Sequence, residues 1–429
     1  MEYNSHMQRI AYLTATVFAV GGFLLSCAGG NPVVPGDSDL IRIQVTRLLP
    51  NVAAIEYARI MITRTENGAL GMPGRNIQVT ADSGNVSGVT DRGDGTYEAV
   101  WGGGSVGEVR ITARDLDSDP TVETGLTFLA LEYFSTEWDI PVKLAYPVST
   151  DGWEAAPFLY PDARRLAFSY ITLDLASLSA GVTRPIGAER PGQATPQTLN
   201  IYLAEPKLGS KSWWTGWSVQ NAGCNLFQAA QTHISAPSVT SDLRYGFCTV
   251  QESTLSGFTP AAIWTLNSEF SNAPIPLGPP VDMDGLQEDN PYYDITNGWL
   301  YFDTSEMSDP LSKQEIWAAR SMGGVSFDQP VLVGGGLNTE CIETQPFVPE
   351  PSGYLYFASD REQDEFVLSI WRVPISGDQV MGIPERMTKG MLGTGRPSIS
   401  LDGRWLCFSY AREESGGVNT DIAASKKME

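Results

Sequence analysis

The sequence predicts an all-β chain in two parts, an alternating sandwich followed by a ring of five repeats. Three observations predict it. From 40 to 131 the apolar residues alternate with period two between turn-rich pieces. From Pro157 onward one short segment recurs five times. The composition is that of a β-rich globular protein, with 43 Gly, 28 Pro and only 18% charged residues, so long helices and polar tracts are not expected.

The alternating segments are IRIQV, AIEYARIMITR, RNIQVTA, TYEAVW and EVRITARD, separated by ENGALGMPG, DRGDG and WGGGSVG. Such punctuation reads as antiparallel strands of a sandwich spanning 40–131. Arg92-Gly93-Asp94 spells an adhesion tripeptide, but its glycine and aspartate serve the turn. Asp115, Asp117 and Asp119 alternate as calcium ligands do, yet lack the glycine and distal glutamate of a calcium loop. They read as a solvated loop between domains.

The repeats occupy 132–429. They read PFLYPDARRLAFSY, PSVTSDLRYGFCT, PYYDITNGWLYFDT, PFVPEPSGYLYFASD and PSISLDGRWLCFSY. Proline leads phenylalanine (Phe168, Phe247, Phe302, Phe357, Phe408) by 11 residues in four copies and 10 in the second. The proline opens a strand, where its missing N–H is tolerated. Asp162-Ala163, Asn297-Gly298, Ser352-Gly353 and Asp402-Gly403 turn the chain into a second strand. A third carries Tyr202, Trp264, Trp317 or Trp371, read as blade packing, and a fourth runs through PIPLG, QPVLVG or PERMTKG. Four strands per unit of about fifty residues make one propeller blade. The fifth unit ends at its third strand, DIAAS, while Ile140–Tyr146 upstream reads like the missing fourth. A ring must close, so five blades are predicted, closed by Ile140–Tyr146. Six is the alternative, with the first unit's insertions near 180–197 and 207–230 supplying the extra one.

Function is less legible. Acidic residues outnumber basic ones by 50 to 28, and a net charge of −22 makes nucleic acid and anionic membrane surfaces poor partners. His6 and His233 are the only histidines, which disfavours multi-histidine metal sites; no cofactor and no metal are expected. Glu154, Glu288 and Glu343 each stand three residues before a repeat proline, where Ile234 and Thr394 stand in the other units. Gathered at a channel mouth, such carboxylates would suit glycosidic acid–base chemistry. Recurrence at one repeat address favours a structural cap, so no catalytic residue is assigned. Trp213, Trp214 and Trp217 fall in an insertion and are candidate binding aromatics. Among Cys224, Cys248, Cys341 and Cys407 the one candidate disulfide is Cys224–Cys248.

Several segments resemble known families. Met7–Ser26 with Leu24-Leu25-Ser26-Cys27 resembles a bacterial lipoprotein signal peptide (1–26). The resemblance implies lipidation of Cys27, a tether over 27–39 and, from Ala28, outer-membrane sorting facing the periplasm or the cell surface. DGTY followed by GEVRITA resembles invasin-type and filamin-type bacterial Ig-like domains, which act as spacers. The repeats resemble the WD40-like (PD40) repeat of the TolB propeller, SISLDGRWLCFSY and LYPDARRLAFSY most closely. Together these imply a cell-envelope lipoprotein whose propeller is a non-catalytic scaffold for an envelope protein or a peptidoglycan-associated partner. The competing reading is a glycan-binding or glycoside-hydrolase-like propeller.

Overall fold

The computed structural model describes residues 40–66, 69–172, 198–206, 217–223, 232–254, 257–307, 313–350, 352–362, 367–414 and 417–428. Every regular element among them is a β-strand. The chain forms two compact units. One runs from Leu144 to Ala424; the other takes the chain up to Lys143 and resumes at Ser425. The division thus falls twelve residues beyond the sequence boundary at 131. The reason is local pairing: Val142 lies opposite Phe128, and the Leu129 amide donates to the Pro141 carbonyl at 2.9 Å.

In the smaller unit, Leu40–Arg47, Tyr57–Glu66, Thr96–Gly102 and Asn85–Val86 form one antiparallel sheet. Gly107–Asp115 sits between Ile77–Ala81 and Val122–Ala130 in another. Alternation buries Ile60, Ile62, Trp101, Val109, Ile111 and Phe128. Trp101 and Phe128 meet edge to face at 5.0 Å. Both short motifs of this unit are absorbed by structure. Asp94 accepts the Thr96 amide at 2.9 Å, and a Cβ on Gly95 would fall 1.8 Å from the Gly71 Cα. Asp115 is fully buried against Arg64 at 2.7 Å and also accepts from Ser118 and the Asp117 amide.

In the larger unit the described residues form five antiparallel sheets, and in each the repeat proline lies inside the first strand rather than opening it as expected. The first strands are Trp153–Leu159, Thr232–Val239, Leu286–Asp294, Glu343–Phe347 and Thr394–Ile399. Each lies against the next, and the fifth lies against the first, a closed, propeller-like cycle. Second strands are Leu166–Ile171, Gly246–Thr254, Trp299–Glu306, Tyr354–Ser359 and Trp405–Glu414. Third strands are Asn200–Pro206, Ala262–Leu266, Glu315–Gly323, Ser369–Ser376 and Gly417–Lys426. Trp217–Asn221, Ile275–Pro276, Val331–Leu332 and Glu385–Arg386 supply outer strands to the first four sheets. Beside the fifth, the Leu144 amide donates to the Ile422 carbonyl at 2.9 Å.

The ten-residue spacing of the second repeat is a slip of one place. Cys248, not Phe247, stands opposite the third-strand aromatic Trp264, as Phe168 stands opposite Tyr202, Phe302 opposite Trp317 and Phe357 opposite Trp371. One residue along a strand reverses the face. Phe247 therefore packs with Tyr293 and Phe327 at 5.7 and 6.5 Å. This repeat also hides its turn, for Leu243 takes the left-handed backbone (φ 60°) that Gly298, Gly353 and Gly403 take elsewhere. Trp217, one of the candidate binding aromatics, is buried in a fourth strand beside Phe168, Tyr202 and Leu144.

Candidate functional site: the channel ring and the cavity beside it

The residue before each repeat proline has positive φ: Ala156 (51°), Ala236 (49°), Asn290 (54°), Gln345 (59°) and Arg396 (51°). A side chain there is strained, and a following proline already disfavours helical backbone. Each strand compensates with a bulge at this point, where two residues stand opposite one and the single extra residue breaks the register. The bulge turns five backbone amides out of their own ladders, and all must find acceptors.

They find them in the preceding sheet. The Ala156 amide donates to Ser409 Oγ at 3.2 Å, Ala236 to Ser169 Oγ at 3.0 Å, and Asn290 to Thr249 Oγ1 at 3.3 Å. Gln345 donates to Asp303 Oδ2 at 2.7 Å. At the fifth place the preceding second strand offers Ala358, which has no acceptor. The Gln345 side chain supplies one instead, and its Oε1 accepts the Arg396 amide at 2.7 Å. A Cβ on Gly395 would lie 2.4 Å from that oxygen, so glycine is what lets Gln345 fill the gap.

The five pre-proline residues, the prolines and the residues after them line one axial channel. Phe158, Tyr292 and Phe347 pack together within it, with Tyr292 and Phe347 4.6 Å apart. The polar part of the wall is lopsided. Repeats 1 and 2 present alanines, whereas repeats 3 to 5 present Asn290, Gln345 and Arg396. Arg396 Nη1 donates to Asn290 Oδ1, and its other guanidinium donors make no hydrogen bond among the described residues. Burial lowers the Arg396 pKa, and the charges of Asp289 and Asp303 oppose that shift.

Asp289 and Asp303 are cross-strand partners in the third sheet. Ala155–Ser169, Ser235–Thr249, Thr344–Ala358 and Gly395–Ser409 hold the matching places elsewhere, so this carboxylate pair is unique to its repeat. Asp303 Oδ2 accepts from the Gln345 amide, from Asn290 Nδ2 at 2.8 Å and from Thr344 Oγ1 at 2.9 Å. Burial and the neighbouring Asp289 charge push the Asp303 pKa up to about 7. Asp289 Oδ1 accepts from Thr249 Oγ1 at 2.6 Å and from the Asn290 amide at 2.7 Å. Its Oδ2 is buried without a partner among the described residues. Both aspartates line a polar cavity between the second and third sheets, together with His233, Gln251, Gln287 and Gln314. His233 Nδ1 accepts the Leu199 amide at 3.2 Å, and burial lowers its pKa to about 4, so the ring is neutral.

The three glutamates singled out by sequence stand one residue away, fully buried and facing their own loops. Glu154 accepts from Thr150 Oγ1. Glu343 Oε2 accepts the Thr339 amide at 2.8 Å; its Oε1 takes Thr339 Oγ1, Ser359 Oγ and, at 2.9 Å, Arg361 Nη2. Glu288 Oε1 accepts the Met283 amide at 3.0 Å, its Oε2 has no partner among the described residues, and burial raises its pKa to about 8. Each ties down the loop four or five residues upstream. Trp264, Trp317 and Trp371 stand at the repeat address in the third strands. Cys27, Trp213, Trp214 and Cys224 lie outside the described residues.

No family model matches the sequence, and no curated protein does. Among solved structures, a thermostable family-43 glycoside hydrolase is 16% identical over 65% of this chain and 91% of its own, with a TM-score of 0.42. TolB from Acinetobacter baumannii is 13% identical over 92% of this chain and 81% of its own, at 0.35. An alpha-L-arabinofuranosidase from Lactobacillus brevis is 11% identical over 66% and 92%, at 0.38. At these TM-scores the likeness carries nothing about the site.

Proposed function

We propose that the chain is a cell-envelope lipoprotein, anchored through Cys27 and carrying a five-bladed TolB-like propeller behind an Ig-like spacer. The propeller is a non-catalytic scaffold that binds an envelope protein or a peptidoglycan-associated partner. The observation that supports binding is the lopsided channel ring. Strained positions filled by alanine in two repeats carry Asn290, Gln345 and Arg396 in the other three, with guanidinium donors unused. Hydrogen-bonding groups held on strained backbone are prepositioned for a polar ligand. The test is crosslinking and capture from envelope fractions with the wild type, Arg396→Ala and the exposed control Arg404→Ala. Loss of a partner in Arg396→Ala alone supports the reading, and an identical partner set in all three overturns it.

The second reading, a glycan-acting propeller, draws on the Asp289–Asp303 pair. As cross-strand partners the two side chains leave neighbouring points of one sheet face, and a close pair of carboxyl groups is what retaining glycosidases use. Against it, Asp303 is only 1% exposed and one of its oxygens is bonded three times. Hydrolysis of an aryl glycoside by the wild type and its loss in Asp303→Asn would favour this reading over the scaffold.

A further inference from the structure

The cavity between the second and third sheets holds two carboxylates and, among its lining residues, no lysine or arginine. Its one histidine is neutral, with Nδ1 already accepting a backbone amide. The remaining polar lining is amide and hydroxyl. Asp289 is 5% exposed, and its Oδ2 is buried with no hydrogen-bond partner among the described residues. Such an oxygen costs on the order of 1–3 kcal/mol to leave unsatisfied, and more if it is charged. The opposite face of the same carboxylate is fully used, by Thr249 Oγ1 and the Asn290 amide, so the side chain is held in place and cannot turn to satisfy itself. Arg396 acts on this pair from the channel.

We propose that this cavity is a binding site for a hard divalent cation of the calcium class, with Asp289 Oδ2 as its principal ligand and Asp303 as the second carboxylate. Gln251, in Gly246–Thr254, and Gln314, just before Glu315–Gly323, supply amide oxygens. Gln251 spends its Nε2 on the Thr259 carbonyl at 3.2 Å, which leaves its Oε1 to accept or to coordinate. Oxygen-only donors around two carboxylates select calcium over the soft metals that thiolate and imidazole favour. Calcium also tolerates the irregular, many-oxygen shell that three strands provide better than magnesium does. The bound ion would fix the second and third sheets to each other beside the channel. The site stands apart from the partner reading, because it needs only the ion.

The test uses the full chain after chelation. Calorimetric titration with CaCl2 should show one saturable site, and CaCl2 should raise the Tm more than MgCl2 or NaCl at matched ionic strength. Asp289→Asn should weaken binding at least tenfold, while Asp284→Asn, an exposed carboxylate on the nearby loop, should leave it unchanged. Gln314→Leu, which keeps both carboxylates, should weaken it by a smaller factor and serves if Asp289→Asn does not fold. No saturable calcium binding by the chelated wild type overturns the proposal, and so does unchanged binding in both Asp289→Asn and Gln314→Leu. A higher Tm for Asp289→Asn with no cation response in the wild type would mean that a proton, not a metal, satisfies the pair.

Discussion

The two arcs of the channel ring are built from the same repeat and solve the same problem differently. Each must hold a strained residue before a proline and give its displaced amide an acceptor. In repeats 1 and 2 the strained residues are Ala156 and Ala236, and a single serine hydroxyl accepts each amide. In repeats 3 to 5 they are Asn290, Gln345 and Arg396, and an aspartate and an amide side chain serve as acceptors for the last two. The first solution is the least that the backbone demands. The second goes beyond that demand and puts charge and spare donors at the channel wall. The difference separates what the fold requires from what this protein adds to it.

Removing an acceptor from each arc breaks the comparison most sharply. Asp303→Ala orphans the Gln345 amide, Asn290 Nδ2 and Thr344 Oγ1 together. It should destabilise the larger unit by on the order of 4 kcal/mol, read as a fall in the urea midpoint. A loss below about 1 kcal/mol would mean that the pair is a burden the fold carries for function alone.

Glu288 extends the contrast to the loop caps. Glu343 is neutralised by Arg361, whereas Glu288 has one amide bond and a pKa raised to about 8. For a carboxyl raised in the folded state, the stabilising contribution is complete below its ordinary value near 4.5 and is lost as pH rises to about 8. Glu288→Gln should remove that loss. Relative to the wild type it should gain on the order of 3 kcal/mol between pH 5 and pH 9. Parallel stability curves for the two proteins would refute the assignment.

Much of this architecture is legible in the sequence because hydrophobic period and turn chemistry act locally. The proline-to-phenylalanine segment marks the first two strands of every sheet, and the third-strand aromatics mark the next. The site is a different matter. The carboxylates three residues before the proline, Glu154, Glu288 and Glu343, recur because they cap loops. The positions that differ between repeats lie one and two residues before the proline, and Asp289 alone is acidic among them. That signal was available, yet its meaning depends on the bulge, which turns those residues toward the channel and the neighbouring sheet. Asp303 carries no local signal at all. It looks like any residue after the repeat phenylalanine until pairing sets it opposite Asp289. Trp217 fails for a related reason, since a fourth strand of five residues has too little period to stand out from an insertion.

Smaller changes test the simple arc. Ser169→Ala removes the one acceptor of the Ala236 amide and should cost about 1–2 kcal/mol, measured in the same urea series. The smallest effect expected is that of Ala156→Gly. Glycine takes φ near 51° without strain, which favours the variant, but it also loses more backbone entropy on folding. The two terms are each about 1 kcal/mol and opposed, so the midpoint should hardly move. At Arg396, under the same strain, glycine gains the same relief but abandons the bond to Asn290 and the charge facing Asp289 and Asp303. Arg396→Gly should therefore cost clearly more than Ala156→Gly. Equal costs at the two positions would mean that the polar side chains of the second arc contribute nothing to the fold and are held there only for what enters the channel.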